Sequence, residues 1–433
     1  MIVVLGAGES GIGAALLAAQ MGLDVFVSDR GKIADHFIQE LQLHHIPFEE
    51  KGHTIEKIRQ AREVIKSPGI PPQAEVLKKA SEFGIPVIGE IEFAGRYCSG
   101  KIIGITGSNG KTTTTNLIHH LLTSARINTV KCGNVGVSFA RAVASRISSH
   151  YVVELSSFQL EDIVDFRPDI AVITNISPDH LDRYDYDLTR YAAAKFRIGM
   201  NQSSEDTLII GEIDAGLEEL LYEMAPSPHK IKTGPGRSNL VCIDEEELLK
   251  FDTSALRGKH NAQNASCAAA AALAEGIKLE VIKTGIQTFV NDPHRMEEVG
   301  IVEGVRYIND SKATNVDAVY FALEAMETPV IWIAGGVDKG NDYSQLYSAL
   351  KGQVKTLICL GVDNTKLKAS FEGRIGEIEE ASSMEEALQI AQKKALPGDT
   401  VLLSPACASF DLFNNYIHRG EVFSAWVKRL KNE

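Results

Sequence analysis

The chain has 433 residues, 44% hydrophobic and 23% charged, with a formal net charge of −13 at pH 7. That length accommodates about three domains, and the acidic balance excludes a nucleic-acid binder, which needs a basic stripe. Anionic small molecules respond to local lysines and loop amides instead, so they stay admissible. The six cysteines form no C-x-x-C pair, which excludes structural zinc and a disulfide framework. No stretch approaches the roughly 18 apolar residues of a membrane span, and the expected location is a reducing cytoplasm.

The first α/β unit opens with an apolar strand at Ile2–Leu5, the loop Gly6-Ala-Gly-Glu-Ser-Gly11 and a helix rich in alanine and leucine. A second strand, Val25–Ser28, ends at Asp29. Spacing and acidic residue match the dinucleotide fingerprint, which would hold NAD. The βα repeats fade by Ile91, however, and the same glycines can cradle any diphosphate. The pattern alone leaves both ligands open.

The second unit begins with Lys101-Ile-Ile-Gly-Ile-Thr-Gly-Ser-Asn-Gly-Lys-Thr-Thr-Thr-Thr-Asn116. A strand leads into a glycine loop, then a lysine, threonines and an amphipathic helix. That order sets backbone N–H groups and a helix N-terminus around a phosphate. Gly107, Ser108, Asn109, Gly110, Lys111, Thr112 and Thr113 are the candidate ATP residues, with Lys111 reaching the outer phosphates and Thr112 holding Mg²⁺. Ile105 stands where the usual P-loop has its first glycine, so the tighter form T-G-x-N-G-K-T applies. Short apolar strands at 151–155 and 170–174, alternating with helices, predict a doubly wound parallel sheet with its ligand at the carboxyl ends.

Glu154 lies in one of those buried strands, where a metal ligand is favoured over a structural ion pair. His180 follows a strand end and reads most simply as a surface or capping residue before a Pro-initiated helix. Asn134, in Gly133-Asn-Val-Gly136, reads as a turn former. Lys195 reads as an exposed helix lysine. Arg295, after a Pro turn, fits either a phosphate clamp or an interdomain ion pair.

The third unit repeats the theme. Strands at 305–308, 330–333, 356–360 and 400–403 each run into a polar loop, so their polar residues gather on one rim. Covering helices fall between them, one at 383–395. Cys407 in the last of these loops reads as a buried inert thiol.

These segments together resemble the Mur ligase family over the whole chain. The likeness rests on Thr106-Gly-Ser-Asn-Gly-Lys-Thr112, Glu154-Leu-Ser-Ser-Phe-Gln-Leu160, Asn175-Ile-Ser-Pro-Asp-His-Leu-Asp182 and the helix carrying Lys195. It continues through Gly258-Lys-His-Asn-Ala-Gln-Asn264, His294-Arg-Met-Glu-Glu298, Asn309-Asp-Ser-Lys-Ala-Thr-Asn315 and Leu403-Ser-Pro-Ala-Cys-Ala-Ser409. The resemblance implies a Rossmann-like domain over 1–93 for a UDP-linked substrate, a P-loop domain over 94–291 and a Rossmann-like domain over 292–433 for an amino acid. It implies a monomeric ATP-dependent amide ligase of peptidoglycan precursor synthesis. Asp310 to Asn315 point to the member that adds D-glutamate to UDP-N-acetylmuramoyl-L-alanine.

By the same resemblance Gly8, Asp29, Ser67 and Asn134 contact the UDP-substrate. Asn264 faces adenine, and Arg295 and Asp310 meet the nucleotide. Lys312, Thr314, Lys339, Ser409 and Tyr416 form the D-glutamate pocket. Two Mg²⁺ ions are implied, one on Thr112 and Glu154, the second on His180 and a carbamylated Lys195.

Overall fold

The computed structural model describes residues 1–234, 236–237, 239–338 and 340–432. Five strands form the first sheet: β1 (Ile2–Leu5), β2 (Val25–Ser28), β3 (Phe48–Glu49), β4 (Glu63–Lys66) and β5 (Val87–Gly89), in the order β3-β2-β1-β4-β5. All their pairings are parallel. Val3 and Leu5 enter one hydrophobic cluster while Ile2 and Val4 enter another, as the two-residue repeat of a strand covered on both faces requires.

The second sheet contains β6 (Lys101–Thr106), β7 (Thr129–Gly133), β8 (His150–Glu154), β9 (Ile170–Asn175), β10 (Thr207–Glu212) and β11 (His229–Lys232). Its order, β11-β10-β9-β6-β8-β7, is also fully parallel. The P-loop strand β6 lies between β8 and β9, so the loop leaves the sheet where the strand order reverses, the usual ligand crevice of an open α/β sheet. First and second sheets share one hydrophobic core.

A two-stranded ladder of β12 (Leu240–Ile243) and β13 (Glu246–Lys250) precedes the third sheet. That sheet holds β14 (Glu297–Val302), β15 (Val305–Asn309), β16 (Val330–Gly335), β17 (Val354–Leu360), β18 (Glu377–Ala381) and β19 (Thr400–Ala406), ordered β14-β15-β19-β16-β17-β18. Only the half-exposed edge strand β14 runs antiparallel. Trp332 and Leu402 point to one face, Ile331, Ile333, Val401 and Leu403 to the other. The covering helix expected at 383–395 is Met384–Lys394, capped by the Ser383 hydroxyl.

The chain forms two compact units. One comprises Met1–Pro235, Cys242–Glu247 and Gln263–Gly285, the other Gly236–Val241, Leu248–Ala262 and Ile286–Glu433.

Candidate active site

The loop after β6 is built largely by the end of β9. Asn175 accepts the Ser108 N–H on its carbonyl at 2.9 Å and the Asn109 N–H on Oδ1 at 3.0 Å. The Thr174 hydroxyl donates to the Asn109 carbonyl at 2.6 Å, and the Ser108 hydroxyl donates to the Ser177 carbonyl at 2.8 Å. Gly110 precedes the helix Lys111–Ser124 with φ 81°, the left-handed region that favours glycine. A Cβ there would stand 2.1 Å from Asn264 Oδ1, so Asn264 lies against the loop backbone itself.

Two lysines converge on this loop. Lys111 Nζ donates to the carbonyls of Gly107 at 2.8 Å and Ser108 at 2.9 Å. Lys195 Nζ donates to the same Gly107 oxygen at 2.7 Å and sits 4.6 Å from the Tyr191 ring centroid. The exposed-lysine reading of Lys195 is wrong: the residue is 1% exposed. Its helix, Leu188–Phe196, buries Tyr191, Ala192, Ala194, Lys195 and Phe196, so this position faces the packed interior. Burial, then the neighbouring Lys111 charge, depress its pKa well below the ordinary lysine range against the pull of Asp179 and Glu154.

Glu154 ends β8, in register with Ile105 of β6 and Gly133 of β7. It is 3% exposed, and Asn134 Nδ2 donates to its Oε1 at 3.0 Å while Asn134 N–H donates to its carbonyl at 2.8 Å. The turn residue Asn134 is thereby tied to the acidic residue. A buried carboxylate and the buried Thr112 hydroxyl supply hard oxygen donors of the kind Mg²⁺ takes. Among the described residues no group of three or more His, Cys, Asp or Glu side chains is arranged to hold a metal.

His180 does not start a Pro-initiated helix. It takes φ 51° before a 3₁₀ turn, Leu181–Tyr184, and its side chain makes no cap hydrogen bond. The ring stands 5.3 Å from Phe158, and the side chain is half exposed.

At the first sheet, Asp29 Oδ2 accepts the Ala7 N–H at 2.6 Å and Oδ1 accepts the Gly31 N–H at 2.7 Å, which fixes the glycine loop. A Cβ on Gly11 would lie 1.8 Å from the Gly6 carbonyl, so loop and helix meet only through glycine. The Ser67 hydroxyl donates to the Gly6 carbonyl at 3.4 Å, and Gly8 is exposed. Glu9, the next residue, accepts the Ser138 N–H at 3.0 Å and Arg141 Nε at 2.8 Å. The loop is therefore tethered to the helix Phe139–Ser145, which follows the Asn134 turn.

In the second unit, Asp310 follows β15 and is buried, accepting the Met296 N–H at 3.1 Å and the Ser404 hydroxyl at 3.0 Å. Burial pushes its pKa up to about 7, against those hydrogen bonds and the Arg295 charge. Lys312 Nζ lies 4.1 Å from the Tyr416 ring centroid, a cation–π pair. Thr314 is half-buried in the same loop, and Ser409 is buried at the end of the β19 loop. Lys339 lies outside the described residues. Cys407 is buried, with Sγ 3.1 Å from the Tyr343 hydroxyl.

Sequence reasoning gave no role to Thr174, which anchors the P-loop, or to Arg419, which is 1% exposed inside the second unit. The position of Thr174 at the end of a strand beside β6 was a usable signal. An arginine one turn into a terminal helix normally reads as surface, so Arg419 offered none.

A phosphate loop at the carboxyl end of a central parallel strand, with a buried carboxylate on the neighbouring strand, defines a P-loop nucleotide-binding enzyme. Residues 1–76 match the MurD N-terminal domain, 105–272 the Mur ligase middle domain and 294–407 the Mur ligase glutamate ligase domain. The chain belongs to the Mur ligase family. It is 49% identical to a UDP-N-acetylmuramoylalanine–D-glutamate ligase of Porphyromonas gingivalis, over 99% of this chain and 98% of the relative. A protein of the same name from Christiangramia forsetii is 47% identical, over 99% of each.

Among solved structures, a UDP-N-acetylmuramate-alanine ligase of Thermotoga maritima shares the fold with a TM-score of 0.60 at 18% identity, covering 99% of both chains. A bifunctional folylpolyglutamate synthase/dihydrofolate synthase of Yersinia pestis gives 0.59 at 16%, covering 78% of this chain and 93% of that one.

Proposed function

We propose that this protein is an ATP-dependent amide ligase that joins D-glutamate to UDP-N-acetylmuramoyl-L-alanine. The convergence of Lys111 and Lys195 on one P-loop carbonyl, beside the buried Glu154, carries the reading. Bringing a carboxylate to a triphosphate sets anion against anion, and Lys111 together with the Mg²⁺ that the neighbouring oxygen donors would hold supplies the offsetting charge.

In the first step a carboxylate oxygen of the UDP-substrate bonds to the γ-phosphorus of ATP, and the bond from that phosphorus to the β-phosphate oxygen breaks. ADP leaves and an acyl phosphate remains. The D-glutamate amine then attacks the acyl carbon and loses a proton. The tetrahedral intermediate expels phosphate, leaving the amide. Lys111 holds the outer phosphates, the loop amides orient them, and Asn134 positions the reacting end of the UDP-substrate.

Thr112 and Glu154 would hold Mg²⁺, which when bound neutralises charge on the phosphate oxygens. A second ion would rest on His180 and Lys195. Burial disfavours the ammonium form of Lys195, and its amine can add CO₂ with loss of a proton from nitrogen, giving a carbamate whose oxygen anion favours a metal.

The nucleotide side includes Ser108, Asn109, Gly110, Thr113, Asn264, Arg295 and Asp310. Gly8, Asp29 and Ser67 take the UDP end, in a domain over 1–93. The P-loop domain spans 94–291. The domain over 292–433 takes D-glutamate through Lys312, Thr314, Lys339, Ser409 and Tyr416. Lysines and hydroxyls suit a dicarboxylate. The enzyme works as a cytoplasmic monomer. No helix among the described residues is long and apolar enough to cross a membrane.

Phosphate release tests this, with Mg-ATP, UDP-N-acetylmuramoyl-L-alanine and one amino acid at a time. Release with D-glutamate and none with L-glutamate is the expected result. Release with a different amino acid would keep the chemistry and overturn the specificity.

A further inference from the structure

The carboxyl rim of the third sheet is assembled from separate loops. One follows β15 and contains Ser311, Lys312 and Thr314; one follows β16; one follows β19 and ends at Ser409. The helix starting at Tyr416 completes it. Arg419, on the first turn of that helix, reaches into the middle. Its Nε donates to the Ser311 hydroxyl at 3.0 Å, and Nη2 to the Ser311 carbonyl at 2.9 Å. Nη1 donates to the Cys407 carbonyl at 3.2 Å and faces the Gly335 carbonyl at 3.5 Å. The Ser311 hydroxyl in turn donates to the Tyr416 carbonyl at 2.8 Å.

We infer that Arg419 is the positioning residue of the amino-acid pocket, one side chain that locks the loops after β15 and β19, the end of β16 and the Tyr416 turn into a single register. This rests on the reading of that rim as the amino-acid site. The argument is one of cost. A guanidinium at 1% exposure is expensive to bury, and here its hydrogen bonds go to neutral carbonyls and a hydroxyl rather than to a carboxylate. Burial lowers its pKa only to about 10, so it stays a cation at neutral pH. A methionine of similar volume would pack more cheaply if the role were only to fill space.

What the arginine adds is fixed geometry and positive potential. Both serve the segments that carry Lys312, Tyr416 and Ser409. Lys312 directly follows the doubly held Ser311 and lies against the Tyr416 ring. A loosened Ser311 therefore shifts both residues together.

The test compares Arg419→Lys, Arg419→Met and Ser311→Ala with the wild type. KM is measured separately for amino acid, ATP and UDP-substrate, and thermal melting serves as the control. Lysine keeps the charge and loses the fork, so Arg419→Lys should raise the amino-acid KM about tenfold, the effect of losing one or two charge-assisted hydrogen bonds. The other two KM values should stay within about twofold. Ser311→Ala should shift the same KM in the same direction by less.

An unchanged amino-acid KM in Arg419→Lys, or an equal rise in all three constants, overturns the proposal. If Arg419→Met does not fold, the other two variants decide. The wild-type amino-acid panel is read first. If it selects an amino acid other than D-glutamate, the specificity reading falls, and the same KM split with that amino acid still decides the role of Arg419.

Discussion

The protein carries two glycine-rich loops that look alike in sequence and do different electrostatic work. Each follows an apolar strand, enters a helix and lies within a parallel sheet. At Gly6–Gly11 the charged side chains of the loop and of the next strand end are acidic: Asp29 fixes the Ala7 N–H, and Glu9 is turned toward Ser138 and Arg141. At Gly107–Gly110 two lysines share one carbonyl oxygen. Glycine gives both loops their close backbone approach. The side chains brought in beside each loop, acidic at the first and basic at the second, are what set the two apart.

Breaking the second loop should have the largest effect. Lys111→Ala should lower kcat by about 10³-fold, the scale of removing a preorganised charge at a reacting phosphate, and Lys195→Arg should do the same because arginine cannot form the carbamate that would hold the second ion. The arginine variant sharpens the point. If Lys195 acts as an ammonium, arginine retains activity; if it acts as a carbamate, arginine is as inactive as alanine. Steady-state turnover with added bicarbonate separates the two.

The first loop should break through its fold rather than its chemistry. Gly11→Ala forces a Cβ to 1.8 Å from the Gly6 carbonyl and should cost about 2–4 kcal/mol of stability. Gly8→Ala, with nothing within 4 Å of its Cβ, should change stability by less than about 1 kcal/mol. Denaturant unfolding of the two variants gives the contrast directly.

A smaller effect concerns the helix that tethers the first loop. Glu90 is fully buried and accepts the Ala140 N–H at 2.5 Å, while its second oxygen has no hydrogen-bond partner. Burial raises its pKa to about 7. The folded protein therefore holds this proton more tightly than the unfolded chain does. Its contribution is complete below about pH 4.3, the unfolded value, and is lost as pH rises through 7. Glu90→Gln should remove that slope, gaining up to roughly 3 kcal/mol relative to wild type between pH 5 and 8. Unfolding curves across that range check it.

The smallest effect is expected at Glu9. Its pairing with Arg141 is partly solvent-exposed, so Glu9→Gln should raise the KM for the UDP-substrate only about threefold and leave the KM for ATP alone.

Much of this organisation is legible in the chain. Apolar runs such as Ile2–Leu5 and Val330–Ile333 announce strands covered on both faces. The Thr106–Thr112 segment announces a phosphate loop, because only a strand, glycines and a helix start produce that nest of amides. Glu154 stands out because a carboxylate in an apolar strand requires a reason. Lys195 could be singled out only through family resemblance, since a lysine in a helix of mixed composition usually points to water. His180 was placed before a helix, whereas the chain forms a 3₁₀ turn there with two further left-handed residues at Asp185 and Tyr186.

By itself the sequence determined the strand and helix periods, the position of both glycine loops and the acidic and basic residues available to them, because these follow from short-range sterics and burial patterns. Only the tertiary structure decided that Lys195 and Lys111 meet on one oxygen, that Asn175 and Thr174 hold the P-loop, and that Arg419 sits between two loops and the end of β16. Those pairings join residues far apart in the chain. Their energies depend on burial, which no local pattern records.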